Sequence, residues 1–178
     1  MIIGDEKIKM THPLVLQLRY ARSEFMRGLQ GLSSEDACKR LEPMNCISWN
    51  IGHLAWQEQR YWLTAGLDQT PHPELNTLFC FGCPAITPAL DEMLVTWRDI
   101  TQAPETFLDG LTAEGMLATR VLKGRRGEFR TNTGNLMNRM IYHYWYHNGE
   151  NQAIRQMLRN TGLADFVGNI DEEAPYTG

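Results

Sequence analysis

Apolar residues recur at intervals of three and four over four long segments of this chain, which is the spacing of one face of an α-helix. Capping residues and prolines stand at the starts of these segments, and glycines end most of them. No stretch alternates strongly enough between apolar and polar residues to predict a sheet. We predict helices at 11–31, 49–65, 88–111 with a break at Pro104, and 133–160. The sequence therefore predicts an all-α fold, a four-helix bundle formed by one domain over residues 1–178.

The connecting segments are expected to be short helical turns and loops. A turn of helix is predicted at 34–41, and residues 67–87 read as a proline-rich loop. Residues 121–131 contain two glycines and predict an irregular loop or a short hairpin just before the last helix. Four basic residues in that segment are expected to form a solvated surface cluster: Lys123, Arg125, Arg126 and Arg130. The tail at 163–178 is expected to be ordered first and frayed at its end.

The second predicted helix carries apolar residues on two nearly opposite faces. Ile51, Ala55 and Trp62 share one face, and Trp49, Trp56 and Leu63 share the other. A helix of this kind is either buried between neighbouring helices or shared with a second chain. The second alternative predicts a homodimer.

Charge and cysteine content exclude several classes of protein. Seventeen Lys and Arg residues against 21 Asp and Glu residues give a net charge of −4, which supplies no broad cationic surface for nucleic acid or anionic lipid. No stretch approaches the roughly 18 uncharged apolar residues of a membrane span, and Asp5 and Glu6 stand where a signal peptide would carry apolar residues. We therefore expect a cytoplasmic protein. Its few cysteines are expected to be reduced, including the isolated pair Cys80-x-x-Cys83.

Two histidines interrupt the apolar face of the last predicted helix. His143 and His147 are four residues apart, so their side chains point to the same side, one helical turn from each other. This is the spacing at which two imidazoles can bind one cation. Buried imidazoles that instead bond to backbone carbonyls would explain the same pattern. A third ligand is needed, and His53 is the best candidate, because it lies mid-helix among tryptophans and next to a glycine.

Two motifs of this chain resemble those of the DinB-like superfamily of four-helix-bundle proteins. The segment Trp49-Asn-Ile-Gly-His53-Leu-Ala resembles the second-helix motif of that family, and His143-x-x-x-His147-x-Gly149 resembles its last-helix motif. The chain departs from the pattern at Glu150, where many relatives carry Gln. The resemblance implies an up-down-down-up bundle in which His53, His143 and His147 hold one divalent metal ion. Three imidazoles suit zinc, nickel and ferrous iron, and they leave a fourth position for water or substrate.

The resemblance also implies a function, because members of the family include enzymes that depend on low-molecular-weight thiols. We expect a metal-dependent thiol transferase acting on a small-molecule substrate. The alternatives are a metal-assisted hydrolase of small amides or esters, and a non-catalytic metal-binding or docking bundle. Glu58 and Glu150 are candidate general bases, and Arg60 is a candidate site for a carboxylate on the thiol or the substrate. Asn50 and Asn151 are candidates for orienting the imidazoles.

Overall fold

The computed structural model describes residues 11–124, 127–165 and 167–176, and this part of the chain is mostly helical. The longer helices are α1 (Pro13–Gly28), α3 (Ile47–Glu58), α6 (Leu90–Gln102) and α9 (Thr133–Met157). The shorter ones are α2 (Ser34–Cys38), α4 (Ala65–Leu67), α5 (Leu75–Leu78), α7 (Glu105–Asp109), α8 (Ala113–Leu117) and α10 (Ile170–Glu173). The predominantly helical fold is confirmed, and each long predicted segment contains one long helix.

The expectation that the chain contains no sheet is wrong, because two segments pair as a small antiparallel sheet. Strand β1 (Thr119–Gly124) pairs with β2 (Gly127–Asn132), so the segment before α9 is the hairpin of the two alternatives considered. Leu122 is paired with Phe129 in the register, and Gly127, with φ of +103°, begins the returning strand in a conformation that favours glycine. Of the basic cluster, Arg125 and Arg126 lie outside the described residues, as do Asp5 and Glu6.

The boundaries of the helices differ from the predicted ones by a few residues. The Nδ1 atom of His12, not the hydroxyl of Thr11, accepts the N–H of Leu14 and caps α1. The helix α6 begins two residues later than predicted, at Leu90, and the chain restarts as α7 directly after Pro104. Local caps are decided by a single hydrogen bond, which explains why sequence spacing locates them only approximately.

The second predicted helix is longer than expected and changes from α-helical to π-helical geometry along its length. It passes from α3 through a π-helical segment (Gln59–Thr64) into α4, and it ends where Asp68 adopts φ of +56° rather than at Gly66. A π-helical turn places an extra residue in the turn and so rotates the side chains that follow it. Arg60 lies within this segment.

The helix α3 is central to the packing. It packs against α6 and α9, while α1 packs against α9. Every residue of Ile47–Glu58 is buried, so both apolar faces of this helix are covered within one chain. Burial between neighbouring helices is therefore the correct alternative. The homodimer stays a prediction, without the exposed second face on which it was based.

The described part of the tail is anchored to α1. Ala174 is buried, and its carbonyl accepts a hydrogen bond from the side chain of Gln17 at 2.9 Å. Among the described helices, none has both the length and the apolar character that crossing a membrane would require.

Candidate metal centre

The helix α9 brings His143 and His147 together as the spacing predicts. The Nε2 atoms of the two rings are 3.0 Å apart. His147 is buried, and His143 is partly exposed on the same side of the helix. Tyr146, which is largely exposed, places its ring edge-on to that of His147 with the centroids 5.2 Å apart.

His53 on α3 faces this pair from the other side. Its ring centroid is 4.9 Å from that of His143 and 5.3 Å from that of His147, and it meets both nearly at right angles. The ring stacks between Trp49 and Trp56, at centroid distances of 4.9 and 5.3 Å. Because the tryptophans lie four residues before and three residues after the histidine, they share its face of the helix. They fix the plane of the His53 ring and shield it from water.

A backbone carbonyl that no sequence motif marks holds His53 in position. The carbonyl oxygen of Phe79 lies 2.6 Å from His53 Nδ1. A carbonyl can only accept, so Nδ1 carries the proton and Nε2 keeps its lone pair for a metal ion. A methyl group at Gly52 would come within 2.4 Å of the Phe79 ring. Gly52 therefore makes room for the Phe79 ring.

His147 is oriented in a similar way by a carboxylate. Oε2 of Glu150 lies 2.7 Å from His147 Nδ1, and the same oxygen accepts a hydrogen bond from Asn50 at 3.1 Å. The Asn50 amide also donates to Asn151 at 2.8 Å. Both asparagines were expected to orient imidazoles. Asn50 does not contact His147 directly but holds Glu150, which contacts the His147 ring.

Burial favours the neutral form of two of the imidazoles, those of His53 and His143. Burial lowers the pKa of His53 to about 4, although the hydrogen bond with Phe79 opposes the shift. Burial, together with the charge that His147 and His53 would carry, lowers the pKa of His143 to about 3. Since only a neutral imidazole has a free lone pair, both rings are ready to act as ligands at neutral pH.

The three side chains fit one divalent cation. One ligand nitrogen from each of His53, His143 and His147 can be chosen so that all lie within 4.8 Å of one another. Two nitrogens bound to one tetrahedral zinc ion at about 2.0–2.1 Å would be about 3.3 Å apart, close to the 3.0 Å between the Nε2 atoms of His143 and His147. Acceptors at the far nitrogens of His53 and His147 are what metal-binding histidines usually have.

Arg60 lies beside the cluster rather than in it. Its guanidinium group sits 5.4 Å from the Trp56 ring and 5.8 Å from the Phe129 ring, and it donates to the carbonyl of Lys123 at 2.7 Å. Burial lowers the pKa of Arg60, but from so high a value that the group stays charged at neutral pH.

Arg60 also lines a cavity of about 970 Å³ between the hairpin and the segment that follows α5. Trp56 is the residue common to this cavity and the histidine cluster, since one face of its ring stacks on His53. The other residues lining the cavity are Asn76, Cys80, Phe81, Lys123, Gly124, Gly127, Glu128 and Phe129.

The structure places Glu58 in a separate ion pair in the core. Its carboxylate is fully buried and accepts two hydrogen bonds from Arg22, each at 2.8 Å. The hydroxyl of Tyr144 donates to the same carboxylate at 2.9 Å, and the Trp97 indole donates to that hydroxyl. These partners on α1 and α9 account for the burial of Glu58 without a catalytic role, and the geometry gives the predicted role no support.

The reduced state expected for the cysteines is wrong for one pair. Cys80 and Cys83 form a disulfide, whereas Cys38 and Cys46 are free thiols. The Cys83 N–H donates to the Cys80 carbonyl at 2.9 Å in a tight turn, and Gly82 adopts φ of +76° there. This turn brings the two sulfur atoms within bonding distance.

Comparison with known families agrees with this site. Residues 17–150 match the family model of the DinB superfamily, which is more than half of the chain and includes all three histidines. The chain belongs to the DinB superfamily. Members of this superfamily bind divalent metal ions, and the His53, His143 and His147 cluster is where this DinB protein could hold one. A comparison with curated proteins gave no match.

Sequence reasoning missed two contributors to the site of this DinB protein. The Phe79 carbonyl is a backbone group in an irregular segment, so its residue type carries no signal. The orienting role of Glu150 could have been found, because a carboxylate three residues after a helical histidine lies on the same face and within reach of its ring.

Proposed function

We propose that this DinB protein is a metal-dependent enzyme that transfers the sulfur of a low-molecular-weight thiol to a small electrophile. The observation that carries the proposal is the arrangement of three imidazoles beside a cavity. Zinc or nickel fits the donor set best, and ferrous iron is compatible with it. A divalent cation held by three imidazoles keeps a position open and stabilises a thiolate at neutral pH. We further propose that the long helices form the up-down-down-up bundle of the family.

The residues around the cluster hold the imidazoles in the orientation needed to bind a cation. Phe79 and Glu150 hold the protons of His53 and His147 on their Nδ1 atoms, so that Nε2 of each ring faces the centre. Trp49 and Trp56 cover both faces of the His53 ring and exclude water from it. His53 and His147 then need not reorient before they bind the cation.

The cavity beside Trp56 provides a place for the organic part of the thiol. Its volume of about 970 Å³ lies within the range of small-molecule sites. Arg60, held between Trp56 and Phe129, offers a fixed positive charge to a carboxylate. Low-molecular-weight thiols of the cell are polar and often carry carboxylates. The net charge of −4 favours a small molecule over a nucleic acid as partner, and we propose a cytoplasmic location.

Metal content tests the ligand set directly. Elemental analysis of the purified protein should find about one zinc, nickel or iron atom per chain. His53→Ala and His143→Ala should each lower this content strongly, because a third of the ligands is lost. His72→Ala is the matched control, since this histidine pairs with Glu74 outside the cluster. Equal metal content in all four proteins would show that the ligand assignment is wrong.

Turnover tests the reaction itself. The protein is mixed with glutathione or another low-molecular-weight thiol and a model electrophile, with and without a chelator. Thioether formation that the chelator abolishes would support the transferase. Chelator-sensitive hydrolysis of model amides or esters without thiol would replace it with the hydrolase. Metal binding without either turnover would favour the non-catalytic bundle.

A further inference from the structure

The Cys80–Cys83 disulfide lies at the edge of the cavity, which Cys80 lines. It closes the turn that follows α5, and both cysteines are partly exposed. Cys80 lines the cavity together with Trp56 and Arg60. Phe79, the residue before Cys80, contributes the carbonyl that holds His53. The disulfide is thus next to the metal centre in the chain and faces the space in which a small thiol would bind.

This disulfide contributes little to the stability of the fold. It joins residues only three apart, and so short a loop removes little entropy from the unfolded chain compared with a long one. Other contacts already fix the segment on both sides. Trp56 donates to Asn76 at 3.0 Å before the turn, and Trp49 donates to the Pro84 carbonyl at 3.2 Å after it. In a cytoplasmic protein, a disulfide is usually catalytic or redox-sensing rather than structural.

The charges of the cavity favour thiolate chemistry at Cys80. Arg60 and Lys123 contribute two positive charges to the lining, and Glu128 contributes one negative charge. A partly exposed cysteine in an electropositive setting, paired in a Cys-x-x-Cys turn, is the environment in which thiolates form and exchange. The fixed guanidinium of Arg60 would also draw a carboxylate-bearing thiol to the disulfide.

We propose that Cys80 and Cys83 form a redox-active pair that exchanges with carboxylate-bearing low-molecular-weight thiols in the cavity. The thiolate of the small molecule attacks Sγ of Cys80, the bond between Cys80 and Cys83 breaks, and its electron pair leaves on Cys83. A second small thiolate attacks the sulfur of the first, which releases the oxidised small-molecule disulfide and leaves Cys80 as a thiolate. Two small thiols thereby lose two electrons and two protons, and the protein pair gains them. The metal centre takes no part in these steps, although the choice of a small thiol as the partner rests on the proposed function.

Alkylation of the folded full-length chain tests this exchange. The protein is oxidised, freed of oxidant, incubated with millimolar glutathione, quenched with acid, alkylated and mapped by mass spectrometry. Cys80 and Cys83 should become alkylated together as glutathione increases, while buried Cys46 serves as an unreactive internal reference. Cys83→Ser exposed to oxidised glutathione should carry glutathione on Cys80. A pair that glutathione reduces only after denaturation would overturn the proposal.

Arg60→Gln separates docking in the cavity from simple solvent access. The variant should exchange about fivefold more slowly with glutathione, the effect of losing a partly exposed ion pair. Its exchange with uncharged 2-mercaptoethanol should slow less, because that thiol loses only the effect of Arg60 on the thiolates and not the attraction of Arg60 for a carboxylate. Equal rates for wild type and variant with glutathione, or equal slowing with both thiols, would overturn the role of the cavity. A chelator should leave every exchange rate unchanged, which keeps this test separate from that of the transferase.

Discussion

Glu150 provides the sharpest test of the candidate metal centre, because it contacts the candidate ligand His147 without belonging to the ligand set. It contacts the cluster through the 2.7 Å hydrogen bond to His147 Nδ1, and Asn50 donates to the same oxygen. Glu150→Gln keeps an acceptor oxygen of the same shape but removes the charge. Glu150→Ala removes the acceptor as well. The variants therefore separate the charge of this partner from its hydrogen bond.

The expected loss of metal affinity follows from what groups hydrogen-bonded to metal ligands contribute in other metal sites. Losing one lowers metal affinity about 10- to 100-fold, or about 1.4–2.7 kcal/mol. We expect the lower value for Gln and the higher one for Ala. At saturating metal, the stabilisation of the folded chain falls by the same free energy, which reduces the metal-induced rise in Tm by about 3–11 °C for a protein of this size.

Isothermal titration calorimetry of the chelator-treated protein with zinc measures the affinity, and thermal unfolding with and without zinc measures the stabilisation. Glu92→Gln is the matched control, because it removes the same charge from an exposed position on α6. Without zinc, the Glu150 and Glu92 variants should unfold near the wild-type temperature. If Glu150→Ala binds zinc as tightly as Glu92→Gln, the argument that Glu150 supports His147 is refuted.

Three further predictions concern the core and the cluster. Glu58→Gln should lower the free energy of unfolding in urea by about 3 kcal/mol, because it leaves the buried Arg22 charge underpaired. The metal content should not change. Unaltered stability with lost turnover would instead indicate a catalytic role for Glu58. Between pH 6.5 and pH 4, His53 and His143 are protonated in the unfolded chain but stay neutral in the folded one. The free energy of unfolding of the chelator-treated protein should therefore fall by on the order of 1 kcal/mol per pH unit for each ring as the pH is lowered. His143→Ala should flatten that slope, and an identical slope would contradict the neutral cluster. Gly52→Ala should weaken zinc binding in calorimetry by displacing the aromatic ring packed over it, whereas unchanged affinity would show that this packing does not support the site.

Local sequence patterns were enough to predict the helical class and two of the candidate ligands. Helical spacing alone requires that His143 and His147 point to the same side, whatever surrounds them. His53 was a candidate from its place among tryptophans, and the resemblance of its motif strengthened that choice, since a single histidine in a helix carries no directional information about a distant segment. The two apolar faces of its helix showed that it would be covered on both sides, but not by what.

Tertiary structure decided every partner that comes from elsewhere in the chain. The Phe79 carbonyl reaches His53 only because Gly52 leaves space for the aromatic ring. The fold brings Arg22 from another helix beside the carboxylate of Glu58, a partner that the sequence did not indicate. Local patterns fix where a side chain points on its own element, because the helix period is set by backbone geometry. The groups it meets depend on how the elements pack, which no short stretch of sequence encodes.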